Sequence, residues 1–371
     1  MTAAPITPGR TALPGAAVRA LAGRWLPRLG DDDFVCSPAG LWLALGAVAA
    51  GARGGTAEEL GALLGIPAER AAGAVTEAGR AVASGGAVAV ATGVWSRVPV
   101  RGAYREALPD VGFGVLAGQA PVDAWVREAT GGLIERLPLS LDPGAALVLV
   151  NALALKAAWE APFAPARTRD AAFTDGYGDT TAVPTMHRLL PAAQAWRVGG
   201  ATVVELPCAG PEGAAPRMRF VLGEERDGPA EALPAAWAGP EARTPVAAEA
   251  VELALPRFSV RTTIDVHAQL AALGVGAATD PERADFSGLS PGPLYVSDAA
   301  QEAYVRVAEE GVEAAAATAV VMTRGAAVPP RLRTERIAVD RPFGFAVLDA
   351  TGSLPLFAGW RSSAPTDGET V

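Results

Sequence analysis

The segment at residues 309–322 constrains the fold more than any other part of this 371-residue chain. It opens with two glutamates and a glycine and continues almost entirely in alanine and valine. With the period of two of a β-strand, one face carries only small or apolar side chains, and Glu313 marks the opposite face as the outer one. Alanine is also the strongest helix former. The composition therefore predicts either a buried strand or an alanine-rich helix.

Other motifs follow one another in order between residues 34 and 359. A Ser-Pro pair at 37–38 leads through an apolar stretch to a glycine- and glutamate-containing segment at 51–60, and an apolar run at 147–155 leads to Lys156 and Trp159. Further motifs lie at 162–173, 255–259, 284–288, 341–343 and 356–359. Their order and spacing resemble the serpins, a family of protease inhibitors. The segment at 309–322 resembles the hinge of the serpin reactive-centre loop, which favours the strand.

The resemblance implies an α+β chain with the serpin fold. We expect a single domain over residues 1–371, with a large central β-sheet, smaller sheets, a helical N-terminal half and an exposed reactive-centre loop at about 309–330. The ends, 1–14 and 362–371, are expected to be flexible. Since 50% of the residues are hydrophobic, the chain can bury a substantial core.

Apolar patterns predict the secondary structure. Helices are predicted where apolar residues recur at helical spacing or fill every side of a segment, at 15–29, 38–50 and 123–135. Thr56 and Glu59 form the pattern of a capping box at the start of a further helix. Strands are predicted in apolar runs without helix caps, at 87–95, 146–155, 201–206, 217–222, 251–255, 337–339 and 343–348.

The resemblance to serpins implies a suicide mechanism in which a target serine protease, the expected partner, supplies the chemistry. The protease cleaves the loop and forms an acyl-enzyme ester, and the freed hinge then enters the central sheet as a new strand that carries the protease with it. The 14 residues from Gly311 to Arg324 would span about 45 Å as a strand. The hinge residues are Glu309, Gly311, Val312, Glu313, Ala314, Ala315, Ala316, Ala317 and Thr318.

The position of the cleaved bond stays open between two neighbours. Family spacing from Glu309 makes Gly325 the carbonyl donor, so that the bond between Gly325 and Ala326 is cut. Arg324, one residue earlier, would instead suit the carboxylate-bearing pocket of a trypsin-like protease. Glycine as carbonyl donor would favour an elastase-like or subtilisin-like target.

Six residues are assigned by the resemblance to the control of sheet opening, namely Ser37, Asn151, Lys156, Trp159, Arg257 and Gln301. Arg257 is expected to pair with Glu309 at the base of the loop, and Trp159 to close the top of the sheet. Gln301 stands where the family commonly has a histidine, and Gly40 where a second serine is usual. Fewer polar partners predict a sheet that opens more easily. The segment before the third predicted helix is also shorter than the family norm.

Catalytic and metal chemistry find little support in the sequence. The segment at 288–292 matches a hydrolase nucleophile elbow, but Pro291 lacks the backbone N–H that the oxyanion hole requires. Only His187 and His267 are available as bases, and two histidines with two separated cysteines give no metal-ligand spacing. We therefore expect neither an enzyme nor a metal or other cofactor.

Charge and hydropathy limit which partners and which cellular location are expected. A net charge of −9 disfavours nucleic acid and anionic membranes as partners. The sequence has neither an apolar stretch of about 20 residues nor a secretory signal, so a cytosolic protein is expected. We also expect a monomer. Cys36 and Cys208 are too few for a disulfide framework and are expected to be buried thiols. The 30 arginines against one lysine are typical of a GC-rich genome and suggest a bacterial-type member.

Two other functions stay open. The chain could be a non-inhibitory serpin that acts as a binding or structural protein, although such members typically lose the small residues of the hinge. It could also be a serpin scaffold recruited to small-molecule chemistry, although the sequence shows no acid–base constellation.

Overall fold

The computed structural model describes residues 14–83, 86–132, 134–136, 144–210, 214–312 and 332–365. The helices within these ranges are α1 Gly15–Trp25, α2 Pro38–Ala49, α3 Gly54–Leu64, α4 Ala68–Ala83, α5 Gly102–Ala107, α6 Gln119–Ala129, α7 Pro229–Ala232 and α8 His267–Leu270. Short 3₁₀ turns lie at Leu26–Arg28, Pro165–Arg167, Ala192–Gln194, Leu233–Trp237, Pro240–Ala242 and Ala277–Thr279.

The strands among the described residues fall into three sheets. They are β1 Phe34–Cys36, β2 Val88–Ser96, β3 Gly112–Val115, β4 Leu147–Leu155, β5 Ala157–Ala158, β6 Arg169–Thr174, β7 Thr180–Pro191, β8 Ala195–Val198, β9 Ala201–Pro207, β10 Arg217–Leu222, β11 Thr244–Pro245, β12 Ala250–Pro256, β13 Phe258–Asp265, β14 Val296–Val307, β15 Gly311–Val312, β16 Thr334–Ala338, β17 Phe343–Leu348 and β18 Pro355–Arg361.

Sheet A is the sheet that contains Gly311 and Val312 of the predicted hinge. Its strands run in the order β3-β2-β4-β14, with β13 on the far side of β14. The two central strands, β4 and β14, are parallel neighbours, and we call the line between them the seam. At their carboxyl ends, the upper end of the sheet, the short strand β15 lies between β14 and β5. Sheet B has the order β1-β18-β17-β10-β9-β8-β11, and sheet C the order β16-β12-β7-β6.

Helix α2 fills the space behind sheet A. It contacts β2 and β4 of sheet A as well as β18 of sheet B, and all 12 of its residues are buried. A helix that packs on both sides must be apolar all round. Its first turn is capped by Ser37, whose hydroxyl accepts a hydrogen bond from the N–H of Gly40 at 2.9 Å.

Helix α6 covers the opposite face of sheet A, which we call the front. Alternate residues of a strand point to opposite faces, and β4 follows this rule: Leu147 and Leu149 join the main core, whereas Val148 and Val150 join a second cluster. The front cluster contains Ala91, Trp95, Leu116, Val122, Val126, Ile134, Ala145, Val148, Val150, Ala152 and Ala300. It links α6 to the sheet.

The α+β architecture with a large sheet and a helical N-terminal half is confirmed. The predicted segments 38–50 and 146–155 correspond to α2 and β4. The helix predicted at 123–135 begins earlier, at Gln119, and ends earlier, at Ala129. Strand β14, which forms one side of the seam, was not predicted.

The predicted capping box is wrong. Thr56 lies inside α3, whose N-cap residue is Arg53, and its hydroxyl accepts a hydrogen bond from the N–H of Asp285 at 3.0 Å. At the other end of the chain, the N–H groups of Ser362 and Ser363 donate to Asp33 at 2.6 and 2.9 Å. The chain is thus held by hydrogen bonds at the start of the C-terminal stretch predicted to be flexible.

Candidate functional site

The hinge begins as a strand of sheet A. After β14 the chain makes a tight turn, in which the N–H of Ala308 donates to the carbonyl of Gly311 at 2.9 Å. Gly311 is then the register partner of Ala158, and Val312 is the partner of both Val307 on β14 and Ala157 on β5. Val312 is fully buried. The predicted loop at 309–330 therefore starts with residues that belong to the sheet.

Only glycine fits at position 311. A Cβ atom there would lie 2.2 Å from the carbonyl oxygen of Ala157 and 2.6 Å from Cα of Ala158. These are backbone atoms, so the overlap cannot be relieved by a side-chain rotation. Glycine permits this close approach because it has no Cβ.

Glu309 anchors the turn before β15. The residue is 7% exposed, and its carboxylate accepts hydrogen bonds from Nε of Arg257 at 2.8 Å and from the hydroxyl of Thr168 at 2.5 Å. A second guanidinium nitrogen of Arg257 bonds to the same carboxylate oxygen. Burial raises the pKa of Glu309, but the bonds from Arg257 and Thr168 outweigh burial, and the pKa lies below its ordinary value.

Trp159, the residue after β5, holds the same turn. Its indole N–H donates to the carbonyl of Ala308 at 2.9 Å, and its backbone N–H donates to the carbonyl of Glu310 at 2.9 Å. Trp159 is 2% exposed and forms a β-bridge with Cys208. The structure thus brings Trp159, Arg257 and Glu309 together in what we call the upper cluster.

Sequence reasoning missed two members of this cluster. Thr168 lies in the matched motif 162–173 but received no role, and Phe163, whose N–H donates to the carbonyl of Glu309 at 2.8 Å, likewise received none. Both contacts join chain segments about 140 residues apart, so no local sequence pattern could predict them. The only signal in the sequence was the resemblance of the motif at 162–173 to the family.

A second group of predicted residues lies lower on the seam, and we call it the seam cluster. Gln301 on β14 and Asn151 on β4 are register partners, and the side-chain N–H of Gln301 donates to Oδ1 of Asn151 at 3.0 Å. Asn151 in turn donates to the hydroxyl of Thr92 on β2 at 3.2 Å. Gln301 also accepts from the N–H of Ser37 at 2.6 Å and donates to its carbonyl at 3.0 Å.

The seam cluster is a continuous polar chain inside an apolar core. Ser37, Asn151 and Gln301 are each at most 2% exposed. A buried amide without a partner costs free energy. The hydrogen bonds therefore fix four residues relative to one another, namely Ser37 before α2, Thr92 on β2, Asn151 on β4 and Gln301 on β14. The Gln301 side chain links Ser37 to Asn151 because its amide can accept and donate at once.

Lys156 belongs to neither cluster. Its side chain is exposed on the front of sheet A, and among the described residues it has no hydrogen bond or ion pair. Arg306, at the upper end of β14, is exposed on the same face and likewise has no side-chain partner in the described part of the chain. Residues 313–331, which contain Glu313, Ala314, Ala315, Ala316, Ala317, Thr318 and the candidate bonds at Arg324, Gly325 and Ala326, lie outside the described residues.

Ser290, Cys36 and Cys208 are all buried. Ser290 is fully buried, and its hydroxyl donates to the carbonyl of Pro99 at 3.0 Å. Burial raises the pKa of Cys208 to about 12 and moves the pKa of Cys36 upward as well. Within the described ranges, no group of three or more His, Cys, Asp or Glu side chains could hold a metal ion. The helices described in the structure include none with the length and apolar character to cross a membrane.

Comparison with known proteins places this geometry in a family. Residues 18–363 match the family model "Serpin (serine protease inhibitor)". Serpin-Z2B of Oryza sativa subsp. japonica is 33% identical over 388 aligned residues, which cover 92% of this chain and 95% of that protein. Plasminogen activator inhibitor 1 of Bos taurus is 31% identical over 258 aligned residues, which cover 64% of this chain and 60% of that protein.

A solved structure gives the same answer for the fold. Serpin48 of the insect Tenebrio molitor superposes with a TM-score of 0.79 at 26% identity, covering 96% of this chain and 100% of that one. The predicted serpin fold is thereby confirmed. Because the family match extends over nearly the whole length and the fold agrees, the chain belongs to the serpin family of protease inhibitors.

Proposed function

We propose that this serpin is a suicide-substrate inhibitor of serine proteases that traps its target as an acyl-enzyme by inserting the hinge into sheet A. The observation that carries the proposal is strand β15. Gly311 and Val312 already lie in strand geometry between β14 and β5. A sheet that has accepted these two residues has only to part β14 from β4 along the seam to accept the residues that follow.

The register of β15 supports the insertion of the next small residue. In an antiparallel ladder, each step along one strand moves one residue back along its neighbour. Continued from Val312, the ladder would place Ala314 between Val305 and Leu155, whose side chains are both fully buried. A close-packed position of this kind accepts a methyl group and resists anything longer.

The polar residue of the hinge meets the polar pair of the seam. Six residues after Val312, the same register would place Thr318 between Gln301 and Asn151. Insertion breaks the amide–amide bond that joins these two side chains. A hydroxyl group can donate and accept, so Thr318 supplies each amide with a new partner at that level.

The acidic residue of the hinge meets two cations. One step after Val312, Glu313 would lie on the front between Lys156 and Arg306, which have no partners within the described ranges. Its carboxylate would then pair with two opposite charges. We propose that Lys156 acts in the inserted state in this way, rather than in keeping the sheet closed.

The chemistry itself comes from the protease. Its serine would attack the carbonyl of Arg324 or Gly325, the peptide bond would break, and the new N-terminus would leave with the C-terminal peptide. The acyl-enzyme ester is then carried along with the hinge. The inhibitor contributes the strand and the position in sheet A that the strand enters. Its insertion separates the ester from the arrangement of groups with which the protease activates water.

The test is to mix the protein with trypsin and, separately, with subtilisin, and to examine each mixture by denaturing gel and by mass analysis of the released peptide. A complex that survives denaturation is expected, and the peptide mass distinguishes cleavage after Arg324 from cleavage after Gly325. In Ala314→Arg, clean cleavage without complex is expected, whereas the matched control Ala314→Ser keeps a small side chain and should still trap. If Ala314→Arg traps fully, insertion is not the mechanism. Cleavage of the wild type without complex by every protease tried would favour a non-inhibitory serpin.

A further inference from the structure

His187 on β7 is a buried histidine on the outward face of sheet C. Its neighbours along the strand, Met186 and Leu190, belong to the hydrophobic core. Because alternate residues of a strand point to opposite faces, His187 lies on the other face together with Leu189, which is 51% exposed. His187 itself is only 8% exposed, and neither ring nitrogen has a hydrogen-bond partner in the described part of the chain. A buried imidazole without a partner costs free energy, and a ligand that accepts its N–H group removes that cost.

Two alanines lie beside the imidazole on the same face. The register pairs His187 with Ala254 on β12, and Ala254 with Ala338 on β16. In the next row of the sheet, Glu252 is the register partner of Arg336, and both carry long side chains. The methyl groups of the alanines therefore leave a depression in the outward face beside His187, which we call the sheet C depression.

Three exposed charged side chains surround the sheet C depression. Glu252 and Arg336 lie in the row next to the alanines, and Arg169 on β6 is the register partner of Thr185, two residues before His187. Burial and the positive charges of the two arginines lower the pKa of His187, whereas Glu252 raises it, so all three groups lie close enough to act on the imidazole. Among the described residues, none of the three forms an ion pair or a side-chain hydrogen bond.

We propose that the sheet C depression binds a tetrahedral oxyanion, phosphate or sulfate, held by Arg169, His187 and Arg336. Guanidinium groups form strong charge-assisted hydrogen bonds with such anions, and four oxygens can accept from donors on three sides at once. The two arginines come from β6 and β16, the edge strands of sheet C. The bound anion would therefore join the two edges of the sheet across its central strands, whether or not the chain inhibits proteases.

Anion binding is coupled to the protonation of His187. The neutral imidazole has one N–H group, whereas the protonated ring has two and carries a positive charge. A bound anion stabilises the protonated ring, so binding raises the pKa of His187, and by linkage the affinity increases as the pH falls through that pKa. Arg169 from β6 and Arg336 from β16 attract the anion, while the carboxylate of Glu252 from β12 opposes it.

The test follows His187 directly by NMR. The chain has only two histidines, so the variant His267→Gln identifies the His187 signals. Sulfate is titrated at pH 8 and at pH 5, with sodium chloride of equal ionic strength as the control for screening. We expect the signals to shift with sulfate and not with chloride, and calorimetry to give an affinity about tenfold higher at pH 5, the factor for one added charge-assisted hydrogen bond. In His187→Gln, this dependence on pH should be lost.

Charge variants separate the site from the general field of the protein. Arg169→Gln and Arg336→Gln should each weaken sulfate binding about tenfold, whereas Glu252→Gln should strengthen it about twofold. The control Arg70→Gln makes the same change of net charge at an exposed position on α4 and should leave the affinity unchanged. Melting temperatures without sulfate show that each variant is folded.

Three outcomes would overturn the proposal: equal responses of His187 to sulfate and chloride, equal weakening in Arg70→Gln and Arg169→Gln, or weaker binding in Glu252→Gln. Titration with inorganic phosphate and with phosphoserine at pH 8 distinguishes the two sources of the anion. Tighter binding of phosphate supports a free anion, and tighter binding of phosphoserine supports a phosphorylated ligand.

Discussion

The substitution Gly311→Ala tests the hinge most directly, because a single methyl group has no room at this position. The added Cβ atom would lie 2.2 Å from the carbonyl oxygen of Ala157 and 2.6 Å from Cα of Ala158. Carbon atoms in ordinary contact are about 3.5–4.0 Å apart. The variant can relieve the overlap only by moving β5 or by expelling β15, and β5 is tied to the turn through Trp159. We expect β15 to leave the sheet.

The expected loss of stability in Gly311→Ala follows from the groups that β15 buries. Val312 is fully buried, and exposing a valine side chain costs about 2 kcal/mol. Each backbone hydrogen bond that is lost adds about 1 kcal/mol. The uncleaved form of Gly311→Ala should therefore have a free energy of unfolding about 3 kcal/mol below that of the wild type.

Two assays follow the variant. Urea denaturation of the uncleaved protein gives the loss of stability. The yield of covalent complex with a target protease gives the effect on trapping, and we expect cleaved product to replace complex because the first residues of the strand cannot be seated. The matched control is Val312→Ala, which loses about 1.5 kcal/mol of burial but keeps the glycine and its backbone pairing. It should be less stable and still trap.

Two outcomes would refute this reasoning. A Gly311→Ala variant that traps as efficiently as the wild type would mean that the seating of β15 is not required for insertion. An unchanged free energy of unfolding would mean that the methyl group has found room that the structure does not offer. Loss of trapping in Val312→Ala to the same degree would show that general destabilisation, rather than the blocked position, is responsible.

Three further predictions concern the two clusters and the front face. The pKa of Glu309 is lower in the folded state than in the unfolded chain. Its ionised side chain therefore stabilises the fold above the unfolded pKa, and this stabilisation is lost as pH falls through the lower folded pKa. In Arg257→Gln, the melting temperature should fall less between pH 5 and pH 3 than in the wild type. Gln301→Leu removes the amide that joins β14 to β4, and faster spontaneous polymerisation on mild heating, followed by native gel, should reveal the easier opening. Lys156→Gln should leave the melting temperature of the uncleaved protein unchanged and lower that of the loop-cleaved protein, because only the inserted form would bring Glu313 beside it; equal shifts in both forms would contradict this.

Two of the elements predicted from sequence, α2 and β4, are buried on every side. All 12 residues of α2 are buried, and β4 lies between two neighbours with α2 behind it and the front cluster before it. Such elements leave an uninterrupted apolar run that needs no knowledge of the partner. The hinge differs, because its composition predicts either a strand or an alanine-rich helix and only the family resemblance favours the strand; its residues after Val312 lie outside the described ranges.

Strand β14 escaped prediction because its polar residues are satisfied by distant partners. Gln301 bonds to Ser37 and Asn151, and Glu302 accepts a hydrogen bond from Arg261 at 2.8 Å. Within the strand these residues interrupt the apolar pattern, although each is buried. A pattern along the chain cannot show that a polar group will meet its partner from another element.

The capping box failed for a related reason. The spacing of Thr56 and Glu59 fits the local pattern, but Thr56 accepts a bond from the N–H of Asp285 and Glu59 accepts one from the N–H of Ala277 at 2.7 Å. Both side chains join α3 to a segment more than 200 residues away. The contact joins two of the motifs that carry the family resemblance. These two motifs therefore reflect a tertiary contact rather than the start of a helix.

In the proposed mechanism, the seam cluster would let sheet A both resist opening and accept a strand. In the uncleaved form, Gln301 and Asn151 are buried and joined by their amides, so parting them leaves two polar groups without a partner. The hinge residues that enter first, up to Ala316, are apolar at this face and cannot replace the lost bond. Thr318 is the first that can. We therefore expect the barrier to insertion to lie between the seating of Ala316 and the arrival of Thr318, so that a hinge stopped short of Thr318 falls back while one that passes it continues.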